Sequence, residues 1–250
     1  MAVPPEQARQ EHFASYAASL RERFNAGILS ELQSLPQWVV WRAEVDREGK
    51  PKKAPYNPKR RQAYASVKAH HSWGSLDQAL TALATGMYSG IGFVITPPLV
   101  FFDLDHCVSK ETGEVTDQRA AEIIESLNSY TEISPSGTGL HMLSFGQMPG
   151  KGIHTEIELY GSDRFTTITT KHLATTPTTI EHRQEAINEL YYRFAPPTLS
   201  PSLSQNTRGV EASGHSLDEL PKEAASDALL QRLLRGDITG FASQSSADFV

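Results

Sequence analysis

Apolar positions along the chain switch between a helical and an alternating period, and the switches mark the elements. Residues Pro5 to Phe24, rich in Ala, Glu, Arg and Leu, read as a helix. A second begins at Ser75 as N-cap, carries Leu76, Ala79, Leu80 and Leu83 on one side, and closes at Gly86. Thr116 to Leu127, with Ala120, Ile123, Ile124 and Leu127 at helical spacing, and Glu181 to Phe194 give two more. Bulky or β-branched runs predict strands at Trp38–Val45, Gly90–Thr96, Leu99–Asp105, Tyr130–Ile133, Leu140–Phe145, Glu156–Tyr160 and Phe165–Thr170. Lys50 to Pro58 holds three prolines and reads as an extended loop. Strands mixed with helices in this order predict an α+β fold, a mixed or antiparallel sheet flanked by helices.

The same pattern divides the chain. Residues 1–34 read as an N-terminal helical extension, and 35–195 as a catalytic domain. Residues 196–222, opening on a Pro- and Ser-rich stretch, read as a flexible linker, and 223–250 as the start of a further helical region that is cut short.

Composition adds limits. With 250 residues, 39% hydrophobic and 21% charged, the chain has ample material for one large core. Its single cysteine, Cys107, excludes an internal disulfide and a multi-cysteine zinc site. No apolar run suits a membrane span or a signal peptide, so an intracellular, cytoplasmic protein without a membrane partner is expected. The net charge of −6 provides no global field for nucleic acid. Between Arg42 and Arg61, however, eight basic residues face three acidic ones, which makes Arg42, Lys52, Lys59, Arg60 and Arg61 a candidate backbone contact for a nucleic-acid strand.

Three segments carry candidate chemistry. In Leu99–Asp105, LVFFDLD, a strand would point Phe101, Asp103 and Asp105 to one face and Val100, Phe102 and Leu104 to the other. Two adjacent carboxylates repel unless a cation intervenes, and Mg²⁺ is commonly held by one or two carboxylates plus substrate phosphates. In Ser134–His141, SPSGTGLH, the glycines allow a tight turn whose amides form an anion nest. Ser136 and Thr138 add hydroxyls there, and His141 a further donor. In Glu156–Tyr160, EIELY, both glutamates share a strand face; a third carboxylate would complete a two-metal site. Arg164 follows, where a guanidinium suits triphosphate charge.

This order of motifs resembles the archaeo-eukaryotic primase superfamily, in particular the bifunctional primase-polymerase domains of phages and plasmids. The resemblance rests on Asp103-Leu-Asp105, Ser134-Pro-Ser-Gly-Thr-Gly-Leu-His141 and the ELY at Glu158. It extends to KKAPYNP at Lys52–Pro58 with Trp73 downstream, to YTEISPSGTGLH as a whole and to RFTTIT at Arg164–Thr169. It covers about residues 35–175, and the tail SQSSADFV is similar to the segment that leads such enzymes into a helicase domain. One departure is Thr170, where related sequences often carry glycine.

The resemblance implies an RRM-like half in the sheet and template-directed joining of NTPs or dNTPs on single-stranded DNA, in replication of a mobile element. Asp103, Asp105 and Glu158 would hold Mg²⁺ or Mn²⁺. Ser136, Gly137, Gly139, His141, Arg164 and Lys53 would bind the nucleotide, and a helicase domain would follow. VFFDLD also resembles the nucleophile strand of haloacid-dehalogenase-type phosphatases, although His106-Cys107 follows where that family has a small residue and Thr or Val. A non-catalytic nucleotide- or single-strand-binding module is the remaining alternative.

Overall fold

The computed structural model describes residues 4–155 and 157–195. Two of the expected regions, the 196–222 linker and the 223–250 helical region, lie outside the described residues, as does Glu156.

The fold is α+β and antiparallel in every strand pairing. Its elements are α1 (Pro5–Asn25), α2 (Ser30–Gln33), β1 (Trp38–Val45), β2 (Pro51–Tyr56), α3 (Leu76–Ala84), β3 (Gly90–Ile95), β4 (Leu99–Leu104), α4 (Gln118–Leu127), β5 (Thr131–Ile133), β6 (Leu140–Phe145), β7 (Ile153–His154), β8 (Glu158–Tyr160), β9 (Arg164–Ile168) and α5 (Gln184–Phe194). They form two sheets rather than one: a four-stranded sheet in the order β2-β1-β3-β9 and a five-stranded sheet in the order β5-β6-β4-β8-β7.

Each sheet takes its own helix layer. Trp38, Val40, Ile91, Phe93 and Ile95 project from one face of the four-stranded sheet into a cluster with Leu20 and Phe24 of α1 and Ala79, Leu80 and Leu83 of α3. The N-terminal helix, expected as an extension, thus contributes fully buried side chains to this core. The α3 start follows from local chemistry: Ser75 and Gln78 form a reciprocal capping box. In the five-stranded sheet, Val100, Phe102, Leu104, Leu140 and Met142 pack against Ile123 and Leu127 of α4 and Ile187 and Leu190 of α5. The alternation along LVFFDLD therefore works as read, with even positions committed to the helices and odd ones left for the opposite face.

Two expectations are corrected. The proline-rich segment at 50–58 is not a loop; it contains β2, paired to β1 with Pro55 opposite Trp41 and Pro51 opposite Val45. Since β2 is an edge strand and the Pro55 carbonyl accepts from Ala65 N on the outer side, the missing proline N–H costs no ladder bond. The other correction concerns Asp105. The strand ends at Leu104, and His106 adopts a left-handed φ of 56°, so Asp105 leaves the sheet instead of extending the Asp103 face.

Where the sheets meet, the β9 end of the four-stranded sheet abuts the face of the five-stranded one. Glu132 of β5 accepts backbone bonds from Thr169 N at 2.9 Å and Thr170 N at 2.8 Å. Thr170 itself has φ 53°, the conformation that glycine takes without strain, and Arg23 of α1 donates to its hydroxyl at 3.2 Å. The turn that glycine would make is thus made with threonine and anchored from outside.

Candidate active site

The register of the five-stranded sheet assembles the site. Asp103 of β4 sits directly opposite His141 of β6 on one side and Glu158 of β8 on the other. Glu132 of β5 lies opposite His141, and His154 of β7 opposite Glu158. Directly opposed residues in antiparallel strands point to the same face. Glu132, His141, Asp103, Glu158 and His154 therefore form one row of five ionisable side chains running across the whole sheet.

One end of the row is sealed. Glu132 is fully buried and accepts from Thr169 N, Thr170 N and the Tyr130 hydroxyl, the last at 2.8 Å. His141 is 3% exposed, with Nδ1 at 3.0 Å from Thr167 O and 3.4 Å from Glu132 Oε1. Both neighbours are acceptors, so Nδ1 carries the hydrogen and Nε2 turns to Asp103, whose Oδ1 is 3.7 Å away.

The other end opens to solvent. The Tyr160 hydroxyl donates to Glu158 Oε2 and accepts from His154 Nδ1 at 2.9 Å. Burial, and then the Glu158 carboxylate, push the Tyr160 hydroxyl well above its ordinary range. The Arg164 guanidinium stacks 4.7 Å from the centre of the same ring. At the centre, burial raises the Asp103 carboxyl above the usual carboxylate range; His141 and Lys53 oppose that shift, while Asp105 and Glu158 add to it. The rise at Asp103 is thus a burial effect, the cost of holding a carboxylate away from water, and a bound cation would relieve it.

These side chains line a cleft of about 160 Å³ formed by Lys53, Phe101, Asp103, His141, Glu158, Tyr160, Arg164, Phe165, Thr166 and Thr167. Five of the residues expected from sequence meet there: Asp103, Glu158, His141, Arg164 and Lys53. Asp105 instead lines a small hollow with Leu104, Cys107, Asp117 and Arg119, though its charge still reaches Asp103. Among the described residues no three His, Cys, Asp or Glu side chains are gathered as a ready-made metal cage. The opposed pair Asp103 and Glu158 nevertheless fits a hard divalent ion that takes its remaining ligands from phosphate and water.

The Ser134–Gly139 loop is built as a tight turn. Gly137 has φ 79°, and a Cβ on Gly139 would come within 2.5 Å of Leu104 O, so glycine at 139 lets the loop pack against the end of β4. Its polar groups bond among themselves, Ser134 Oγ with Ser136 Oγ at 2.9 Å and Ser136 Oγ with Thr138 Oγ1 at 3.1 Å. Gly137 N is likewise occupied, by Ser134 O, so Ser136, Gly137 and Gly139 flank the site without lining the cleft.

The basic segment also divides. The Arg42 guanidinium lies over Tyr56 at 4.8 Å, and its Nε donates to Met87 O. Lys52 pairs with Glu44 at 3.5 Å. Lys59, Arg60 and Arg61, in the turn after β2, are exposed.

Sequence reasoning missed Glu132, His154 and the threonines of β9. Glu132 did leave a signal, an acidic residue in a strand otherwise headed for the core; His154 left none.

No protein-family model matches the chain. Over 150 residues it is 37% identical to the DNA Primase-polymerase of Nitratiruptor phage NrS-1, a stretch that is 56% of this chain and 20% of that protein. The chain thus spans about a fifth of that relative's length. No helix among the described residues is long and apolar enough to cross a membrane.

Proposed function

We infer that the chain contains the nucleotidyl-transfer domain of a DNA primase-polymerase, which joins NTPs or dNTPs on a single-stranded DNA template during replication of a phage or related element. The observation that carries this reading is the cross-strand row Glu158–Asp103–His141, with Lys53 and Arg164 in the same cleft. It puts an acidic pair next to basic groups, which suits a metal-bound triphosphate. The likeness to a phage primase-polymerase supports it independently.

In this reading Asp103 and Glu158 would hold Mg²⁺ or Mn²⁺, with Asp105 joining from the turn after β4. When bound, such ions neutralise triphosphate charge and make the attacking hydroxyl more acidic. The protein's own groups position the substrate. The seal at Nδ1 fixes the direction of the His141 ring, and as an imidazolium with both nitrogens protonated it would donate from Nε2 to a phosphate oxygen. Lys53 and Arg164 neutralise the remaining charge, and Arg164 is held in place by its stack on Tyr160. The Ser136–Gly139 loop would reach the phosphates by exchanging the bonds its hydroxyls make to one another. In this segment Lys59 and Arg60 are the exposed cations best placed for the template backbone; Arg42 and Lys52 already have partners in the fold, and Arg61 Nε donates to Met87 Sδ at 3.0 Å. A helicase domain beyond residue 250 belongs to the same proposal. A phosphatase acting through Asp103 would leave His141, directly opposite, without a role.

Primer-extension and primer-independent synthesis assays, with both nucleotide types and Mg²⁺ or Mn²⁺, test the reading. Wild type should synthesise DNA or RNA on a single-stranded template, and a folded Asp103→Ala/Asp105→Ala double variant should not. Comparable synthesis by that variant, or a phospho-aspartate trapped at Asp103, would overturn it.

A further inference from the structure

Of the four threonines in the TTITT run at 166–170, three have a partner for the hydroxyl: Thr166 bonds Thr167 O at 3.2 Å, Thr169 bonds Ile133 O at 2.7 Å, and Thr170 bonds Thr169 O at 2.7 Å. Thr167 differs. Its Oγ1 is the one buried side-chain polar atom among the described residues with no hydrogen-bond partner, and the residue is 3% exposed. A buried hydroxyl without a partner is destabilising, and proteins rarely keep one that has no use.

The register shows where this hydroxyl points. Lys53 lies opposite Ala43, Val39 opposite Gly92, and Gly92 opposite Thr167. Ala43 and Val39 are an even number of residues apart on β1, so Lys53 and Thr167 project from the same face of the four-stranded sheet. Both residues line the cleft. The backbone of Thr167 is already part of the site, because its carbonyl receives the His141 Nδ1 hydrogen at 3.0 Å. A single residue thus orients His141 through its carbonyl and presents an unused hydroxyl beside it.

We propose that the Thr167 hydroxyl is a direct ligand of the substrate's triphosphate, donating to a phosphate oxygen between Lys53 and His141; this rests on the nucleotidyl-transfer reading above. An anionic oxygen is the partner that fits a hydroxyl donor in a cleft lined by the cations Lys53 and Arg164 beside the acidic pair Asp103 and Glu158, the setting of a metal-bound phosphate. The partner Oγ1 lacks in the free protein would be supplied by substrate.

Thr167→Val keeps the side-chain shape and removes only the hydroxyl. It should leave the ligand-free protein as stable as wild type or more so, because a buried polar group without a partner is gone. Calorimetric titration should show the dissociation constant for dATP with Mg²⁺, and that for inorganic tripolyphosphate with Mg²⁺, both rising roughly tenfold or more. Thr167→Ser should restore binding to within about threefold. These opposite signs for stability and affinity are not what a structural threonine produces. Unchanged dATP binding in Thr167→Val overturns the proposal, as does a loss of ligand-free stability that Thr167→Ser repairs. A loss confined to dATP, with tripolyphosphate unaffected, overturns the phosphate assignment. If wild type itself binds neither dATP nor tripolyphosphate, the nucleotidyl-transfer reading fails, and this proposal fails with it.

Discussion

The two ends of the ionisable row follow opposite physical rules. At one end, Glu132 and His141 are buried, and the Glu132 carboxylate and His141 Nδ1 are matched, largely by backbone atoms from the β9 end of the other sheet. At the other, Glu158 and His154 are held by a single tyrosine hydroxyl, and Asp103 carries the cost of a partly buried carboxylate. The first end holds the two sheets together; the second lies in the open cleft. A site that must bind charged substrate without rearranging benefits from such a division, since the fixed end orients donors in advance.

The largest effect that separates the ends is expected from Glu132→Ala. It strands the Thr169 and Thr170 amides and the Tyr130 hydroxyl in a buried position, and leaves His141 with one acceptor fewer. Each buried orphan costs about 1–3 kcal/mol, so the unfolding free energy in urea should fall by roughly 3 kcal/mol or more. Glu158→Ala, at the open end, should change it by less than ~1 kcal/mol. Equal losses in the two variants would mean that the row has no sealed end.

How far these roles were visible in the sequence follows the same division. The odd–even split of LVFFDLD showed which side Asp103 takes, because side-chain alternation is local. The Ser75 cap and Gly86 stop of α3 and the Gly137 turn were legible for the same reason. Glu132 was not, because its role depends on backbone amides 37 and 38 residues away. His154 became part of the row only through the pairing of β7 with β8, a register that no short-range pattern encodes. Asp105 was misplaced because alternation was extended one residue past the end of the strand, where His106 reverses the backbone. Prolines misled at β2 because they forbid a central strand and not an edge. Motif spacing picked out five residues that the fold brings to one cleft, and only the sheet register showed their order and which of them are locked.

A smaller effect is expected at the centre of the row. Asp103 has its carboxyl raised by burial and by Asp105 and Glu158, more than His141 and Lys53 lower it. A carboxylate whose folded pKa lies above its unfolded value destabilises the fold at neutral pH, and the penalty is relieved as pH falls through the folded value toward the unfolded one. Metal-free Asp103→Asn should therefore be more stable than wild type at pH 7 by about 1 kcal/mol, because it removes the cost of burying the charged form. The advantage should shrink steadily toward pH 4. Thermal denaturation of both proteins across that range, with chelator present, measures it. A variant less stable than wild type at pH 7 would show that His141 and Lys53 already compensate the charge, and that this part of the row is also sealed.

The smallest effect tests how the sealed end is held from outside. Thr170 brings its amide to Glu132 by taking φ 53°, which costs an L side chain roughly 1–2 kcal/mol relative to glycine. Glycine there would remove that strain but would gain about 0.5–1 kcal/mol of unfolded-state entropy to lose on folding, and would forfeit the Arg23 bond to Thr170 Oγ1. The opposing contributions are similar in size, so Thr170→Gly should shift the unfolding free energy by no more than ~0.5 kcal/mol. In an Arg23→Ala background the lost bond no longer counts against glycine, and the same substitution should turn stabilising, by about 0.5–1 kcal/mol. A double-mutant cycle in urea reads the difference directly. A cycle that closes with no coupling, or a Thr170→Gly loss above ~1.5 kcal/mol, would mean that the turn is not secured by Arg23 and that the threonine side chain supports the Glu132 seat in another way.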